Sequence, residues 1–423
     1  MTAERKARAM GASAALCAAL LVACGGGGGG SSAPSPSPSP SPAPAPTPSL
    51  PDPSTAPALK TAFAGDFWVG AAIPPEFTTQ AEAAVLIKHM NSLTAENAMK
   101  PDTIQPSLAG TPSEPAALNF APADTIVAFA QANNIRMRGH TLLWHFTSPQ
   151  WFFKGCDTDP AGCLPNVRVR LHDYIHNVMV HFGGKLYAWD VVNEVVAPNP
   201  ASSTPYRTDS PWYITYQNAK NAGANVQPWD YIEDAFRYAD EARTFLGLTS
   251  ADMKLVINEY NTEIPGKRDN LVRIIQDLRN KGVPLDAVGH QMHLRIDANV
   301  SEVTAALVAI EGLGGLENQV TELDINVYDD PASCGTSNTG CIPNYGSTPP
   351  QSMLSREARL YRALYAAFKR PSVQSVTTWG LHDGWSWYNA LPGARANYPL
   401  LFDATRQPKW AFWAVVDPNI TIP

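Results

Sequence analysis

Glu194 closes the run Ala-Trp-Asp-Val-Val-Asn-Glu (188–194), and Glu322 lies inside Val-Thr-Glu-Leu-Asp-Ile (320–325). Each follows a short apolar, β-branched stretch that reads as a buried parallel strand. A carboxylate leaving a buried strand end is costly unless it is partnered or used. Two of them, from strands far apart in sequence, can cleave an acetal by double displacement. One donates a proton to the leaving oxygen while the other attacks the anomeric carbon from the opposite face.

The elements that must hold such a pair are legible along the chain. Strand candidates fall at 67–71, 92–95, 136–143, 186–193, 254–258, 287–293, 319–324 and 375–379. Helical periodicity marks 79–90, 121–133, 167–182, 231–246, 267–281, 300–313 and 353–369. Strands alternating with helices in this number predict an α/β fold, a (β/α)8 TIM barrel, whose site gathers at the carboxyl ends of its strands. Two-residue alternation puts Asp190, Val192 and Glu194 on one face, and likewise Glu322 with Asp324 and Gln291 with His293. The same parity groups Arg138, His140, Leu142 and Trp144. Arg138 and Asp190 read as a buried pair of the barrel wall. Trp68, Trp151, Trp189, Trp410 and Trp413 read as packing.

Outside the barrel the composition changes. Residues 1–23 carry Arg5, Lys6 and Arg8 before an apolar stretch too short to span a bilayer, the pattern of an export signal. It ends Leu21-Val22-Ala23-Cys24, which resembles a bacterial lipobox with Cys24 as the lipidated residue. Gly25, not Asp, follows the cysteine, so the expected address is the outer membrane or cell surface. Residues 24–56 are a Gly/Pro/Ser-rich linker without the apolar bulk for a core. Some twenty residues of polyproline-like chain reach roughly 65 Å, which suits a tether. Residues 57–423 form the expected single catalytic domain, about 365 residues, large for one core except in folds such as this barrel. Removing three basic and two acidic residues with the leader and linker moves the formal charge from −7 to −8. That balance disfavours nucleic acid or anionic lipid as a partner and suits a neutral polymer.

Cys156, Cys163, Cys334 and Cys341 remain in the domain, each pair within one loop rich in Gly, Pro or Asp. Of three possible pairings, two local disulfides are the economical one in an exported protein. A four-cysteine metal site is the alternative.

Seven segments in order carry a family likeness: Thr-Ala-Glu-Asn-Ala-Met-Lys-Pro (94–101), Arg-Gly-His-Thr-Leu-Leu-Trp-His (138–145), Asp-Val-Val-Asn-Glu (190–194), Asn-Glu-Tyr-Asn (258–261), Gln-Met-His (291–293), Thr-Glu-Leu-Asp (321–324) and Trp-Gly-Leu-His-Asp-Gly-Trp-Ser-Trp (379–387). With them, residues 60–415 resemble the glycoside hydrolase family 10 endo-1,4-β-xylanases. The resemblance implies that Glu194 is the acid/base and Glu322 the nucleophile, and that no cofactor or metal takes part. Glu194 then needs a raised pKa, which a nearby anionic Glu322 would help provide, and Glu322 needs hydrogen bonds from His293, itself oriented by Asp324. By the same likeness Gln291 contacts the acid/base and Asn193 donates to the sugar 2-hydroxyl. Glu96, Asn97, Lys100 and His140 bind the non-reducing-side sugars, Trp144, Trp379 and Trp387 flank the cleavage site, and Tyr260 and Asn261 face the leaving group.

The chain departs from the family pattern in places. Thr147 stands where Gln follows the Trp-His pair, which removes one reach toward the non-reducing side, and Glu259 replaces Asp with one methylene more. Loops 154–166 and 331–350 are expected beside the cleft, and 213–229 reads as a further long loop. The implied partner is xylan, cut by a monomer. The alternatives are a capture lipoprotein that binds glycan without cutting it, and an enzyme for mixed-linkage glucan or aryl cellobiosides. Retention of both glutamates and their supports argues against the first.

Overall fold

The computed structural model describes residues 48–107, 118–331, 333–334, 339–391 and 393–423. The expected leader, Cys24 and the linker as far as residue 47 lie outside them. Described structure begins with a capped turn, where Asp52 accepts from Ser54 N, followed by the buried Ala56 and Leu59.

Among the described residues ten strands form one parallel sheet, and eight of them close a barrel. Its eight staves are β1 (Trp68–Ile73), β2 (Ser92–Ala95), β3 (Arg136–Gly139), β5 (Leu186–Asn193), β6 (Lys254–Glu259), β7 (Ala287–His290), β9 (Glu317–Asn326) and β10 (Val373–Thr378). Each pairs in parallel with the next, and β10 pairs with both β9 and β1, which closes the circle. Two short strands, β4 (Leu143–Trp144) and β8 (His293–Arg295), lie at the carboxyl end and pair with β5 and β9. Staves buried on both faces explain why Leu-Tyr-Ala-Trp-Asp-Val-Val-Asn and its counterparts are nearly continuous apolar runs.

Outer helices bury one stripe each. In Asp230–Phe245 the inward positions are Tyr231, Ile232, Ala235, Phe236, Ala239 and Ala242, a spacing of three and four residues. The helix Pro160–Phe182 starts seven residues before the expected 167, because Asp159 caps it through Gly162 N and Pro160 suits its first turn. Within 213–229, expected as a loop, lies most of the helix Pro211–Asn221; its buried Trp212, Thr215, Tyr216 and Ala219 form a stripe among polar residues. Cys156–Cys163 and Cys334–Cys341 are both disulfide-bonded, the local pairing expected.

The staves depart from strict alternation where they meet the site. The stretch 136–143, expected as one strand, ends at Gly139 and resumes at Leu143, with a cis peptide between His140 and Thr141. A side chain at Gly139 would place its Cβ 2.3 Å from the buried Trp189 ring, so only glycine fits there. The stretch 287–293 breaks at Met292, whose φ is 57°. A register shift between Asp190 and Val192 and a φ of 60° at Glu194 let two consecutive residues, Asn193 and Glu194, both reach the cleft. Period-two parity therefore misplaces Asn193.

Beneath the loop after β10, Lys409 joins elements remote in sequence. Its ammonium lies 2.8 Å from Glu357 and 3.0 Å from Asp383, and donates to the carbonyls of Tyr398 and Leu400. This buried cation anchors the loop that carries Trp385 and Trp387.

Candidate active site

Glu322 projects from β9 with only 5% of its side chain exposed. His293 Nε2 lies 3.1 Å from its Oε2, and Asn258 Nδ2 donates to its Oε1 at 2.8 Å. Burial alone would raise this carboxyl. The hydrogen bond from His293 and the fields of His140, His293 and Lys100 overcome burial and bring it down to about 2. His293 is the complementary partner. Burial opposes its charge, but Asp324 and Glu322 on its two nitrogens push it up to about 10, so it is an imidazolium at neutral pH. Asp324, fully buried, also accepts from Trp387 Nε1 at 2.7 Å and Tyr388 Oη at 3.1 Å.

Glu194, at the end of β5, sits in the opposite field. Burial raises its carboxyl above the ordinary range and Glu259 raises it further, against Arg207, the Trp144 indole and Gln291. The anion that acts most on it is Glu259 rather than the expected Glu322, whose charge is matched by His293. Gln291 Nε2 is shared between Glu194 Oε1 at 3.3 Å and Asn193 Oδ1 at 3.2 Å. Asn258 Nδ2 also donates to Asn193 Oδ1, at 2.9 Å. A chain of amides thus runs from Glu322 through Asn258, Asn193 and Gln291 to Glu194. Because two donors occupy the Asn193 oxygen, its N–H groups are what it offers a ligand.

One wall of the cleft is aromatic and cationic. Lys100 lies over Trp144 at 5.0 Å and Trp379 at 5.7 Å, and donates to Asn97 Oδ1 at 2.9 Å. Asn97 in turn donates to Glu96 Oε1 at 3.0 Å. Burial lowers the Lys100 pKa, while Glu322, Glu96, Asp102 and Glu194 sustain its charge. His140 meets the Trp379 ring edge-on at 5.3 Å, and its Nδ1 lies 2.8 Å from Asp190. Asp190 and Arg138 form the expected buried wall pair, which at the same time fixes His140. Trp387 stacks on Tyr388 at 4.1 Å and edges His293 at 5.3 Å.

On the other side, Tyr260 accepts from Arg207 Nη2 at 2.8 Å. Asn261 turns the chain with φ 54° and, among the described residues, joins none of these side-chain chains. Thr147 is buried with its hydroxyl unpartnered among the described protein groups, consistent with a lost reach at that position. Glu259 is more than a tolerated longer acid. Fully buried, it accepts from Val196 N and Tyr260 N and pairs with Lys267 at 2.9 Å. The loop after β9 folds against its own neighbours: Tyr345 stacks on Tyr328, and Arg395 lies 3.7 Å over the Tyr328 ring while pairing with Asp330.

Several members of the site have no role assigned in the sequence reading. Asn258, Glu259 and Trp385 lie inside recognised motifs, and only the fold shows where they point; Trp385 donates to Glu96 Oε2 at 2.9 Å. Arg207 and Lys267 stand outside those motifs and carried no signal of their own.

A closed parallel barrel whose aromatic-walled rim gathers two glutamates of opposed proton affinity, Glu322 buried and Glu194 16% exposed, is the arrangement of a glycosidase. The pattern of glycosyl hydrolase family 10 matches residues 58–418, and the chain belongs to that family. Among its relatives is the "thermostable celloxylanase" of Thermoclostridium stercorarium, 38% identical over 376 residues, which are 86% of this chain and 88% of that protein. Endo-1,4-beta-xylanase A of Thermotoga neapolitana is 38% identical over 87% of this chain, which spans only 31% of that longer protein. The crystal structure of xylanase B from Clostridium stercorarium F9 superposes with a TM-score of 0.73 at 39% identity, covering 86% of this chain and all of that one.

Proposed function

We propose that this enzyme hydrolyses internal β-1,4-xylosidic bonds of xylan with retention, Glu194 serving as acid/base and Glu322 as nucleophile. The observation that carries the assignment is the opposition of the two carboxyls: Glu322 is held ionised by His293, and Glu194 is held toward its protonated form by burial and Glu259. Glu194 gives its proton to the glycosidic oxygen as that bond breaks, while a Glu322 oxygen bonds to the anomeric carbon. The leaving chain departs as an alcohol and a glycosyl ester remains on Glu322. Water then loses a proton to the Glu194 carboxylate and attacks the same carbon, restoring both glutamates and the original configuration. In this reading Asn193, whose oxygen already accepts from Asn258 and Gln291, gives its N–H groups to a sugar hydroxyl.

Xylan is favoured over glucan because Trp387 is held in place by Asp324 and Tyr388. A wall fixed in this way has little room to yield to the hydroxymethyl group that glucose adds. Names among the relatives, "celloxylanase" and "Exoglucanase XynX", make glucan the second reading. Incubation with xylobiose to xylohexaose, with anomeric protons followed by NMR, tests the proposal. Internal cleavage with β-anomer appearing first is expected. Intact oligomers beside a folded protein, or α-anomer first, would overturn it.

We further propose that residues 1–23 direct export and that Cys24 carries a lipid anchor holding a monomeric enzyme at the cell envelope. The sequence Leu-Val-Ala-Cys and the proline-rich spacer support this. Mass spectrometry of the mature N-terminus, with Cys24→Ser as the comparison, should show a diacylglycerol adduct only on the parent.

A further inference from the structure

We propose that Arg207 is a positioning residue for the acid/base, holding Glu194 in a left-handed backbone conformation and coupling it to the leaving-group side through Tyr260. The inference rests on Glu194 being the acid/base. A side-chain-bearing residue at φ 60° is disfavoured and persists only where its surroundings hold it. Here Arg207 Nε donates to the Glu194 carbonyl at 2.8 Å, and Arg207 N donates to Val195 O at 2.8 Å. The same guanidinium reaches within 3.9 Å of Glu194 Oε2 and donates to the Tyr260 phenol. One buried group therefore holds the backbone of the acid, faces its carboxylate and binds a residue of the leaving-group side.

The opposite side of the turn is held as firmly. Glu259 accepts from Val196 N at 2.8 Å and from Tyr260 N at 3.0 Å, and Lys267 pairs with it while lying 3.3 Å from the Tyr260 ring centre. Tyr260 is thus gripped at its hydroxyl by Arg207 and over its face by Lys267. A sugar that hydrogen-bonds Tyr260 acts on the guanidinium that also orients the proton donor. The charged and titratable groups that face Glu194 are Arg207, Glu259, Tyr260, Lys267 and Lys100, and His145 lies in the field of Arg207 and Lys267.

The test compares Arg207→Gln with the parent on xylotetraose, whose departure needs a proton, and on 2,4-dinitrophenyl xylobioside, whose departure does not. Misplacing the acid should cost about 10²-fold in kcat/KM on xylotetraose and less than about threefold in glycosylation by the aryl substrate. Loss of the cation should also move the alkaline limb of the xylotetraose profile to higher pH. Equal losses on both substrates, or an unmoved limb, would overturn the proposal. If Arg207→Gln does not fold, Arg207→Lys serves, because lysine cannot reach the carbonyl and the phenol together; it keeps the charge, so the split between the two substrates alone is then the criterion. Glu194→Ala, measured in parallel, separates the two levels. Equal loss on both substrates in that variant sinks the acid/base assignment itself. Its sparing of the aryl substrate while Arg207→Gln spares nothing sinks only the role given to Arg207.

Discussion

Asn258 Nδ2 lies 2.8 Å from Glu322 Oε1, and the same nitrogen donates to Asn193 Oδ1. Its oxygen accepts from Thr321 Oγ1 at 2.7 Å, which leaves the amide one orientation. Glu322, the proposed nucleophile, is therefore gripped on both oxygens, by Asn258 and by His293. Gly289 packs against this amide so closely that a Cβ there would sit 2.2 Å from the Asn258 oxygen.

Replacing Asn258 with alanine removes one donor from Glu322 and one from Asn193. We expect kcat to fall by about ten- to a hundredfold, from the loss of one buried charge-assisted hydrogen bond. KM for xylotetraose should change less, since the groups on the aromatic wall are untouched. Steady-state kinetics on xylotetraose, with circular dichroism to establish folding, check this.

Glu322→Gln should leave no more than trace turnover on any substrate, because Asp324, the neighbouring carboxylate of β9, is fully buried and held by His293, Trp387 and Tyr388. Glu194→Ala should instead discriminate. Burst kinetics with 2,4-dinitrophenyl xylobioside should show glycosylation near the parent rate followed by slow release, while xylan turnover collapses. A loss of the burst would count against Glu194 as the acid.

The pH profile follows from the two shifts. Glu322 lies below its ordinary value, so it stays ionised, and the enzyme active, as pH falls past 4.5 toward about 2. Glu194 lies above its ordinary value, so the alkaline limb stands above 4.5. His293→Ala removes a donor and a positive charge from Glu322 and should raise the acidic limb. The folded-state depression of Glu322 also stabilises the parent above pH 4.5, a contribution lost as pH falls through the folded value. Titration of kcat/KM in parent and variant checks the direction, and an unmoved acidic limb contradicts it.

Gly139→Ala should destabilise without touching any sugar ligand. The added methyl would meet Trp189 at 2.3 Å, and the fully buried indole has no room to retreat. Overpacking of this kind costs about 1–3 kcal/mol, or more where backbone must shift. Urea unfolding followed by tryptophan fluorescence should show a lower midpoint with an unchanged slope.

The chain's periodicity alone determined a great deal. Eight apolar runs separated by amphipathic segments have few solutions other than a closed parallel barrel, and polar residues at the ends of those runs must gather at one rim. Glu194, Glu322, His293 and Asp324 were legible for that reason, as were the local cysteine pairs. Alternation failed where the backbone leaves the strand: at Asn193, Met292 and the break after Gly139, φ angles and bulges re-aim side chains in ways no period describes. The partners that set the chemistry were decided only in three dimensions. Arg207 and Lys267 follow Glu194 and Glu259 closely in the chain, but only the folded loop after β5 and the helix Pro265–Asn280 turn them back onto those carboxyls, and a charge acts by its distance in space, not by its separation along the chain.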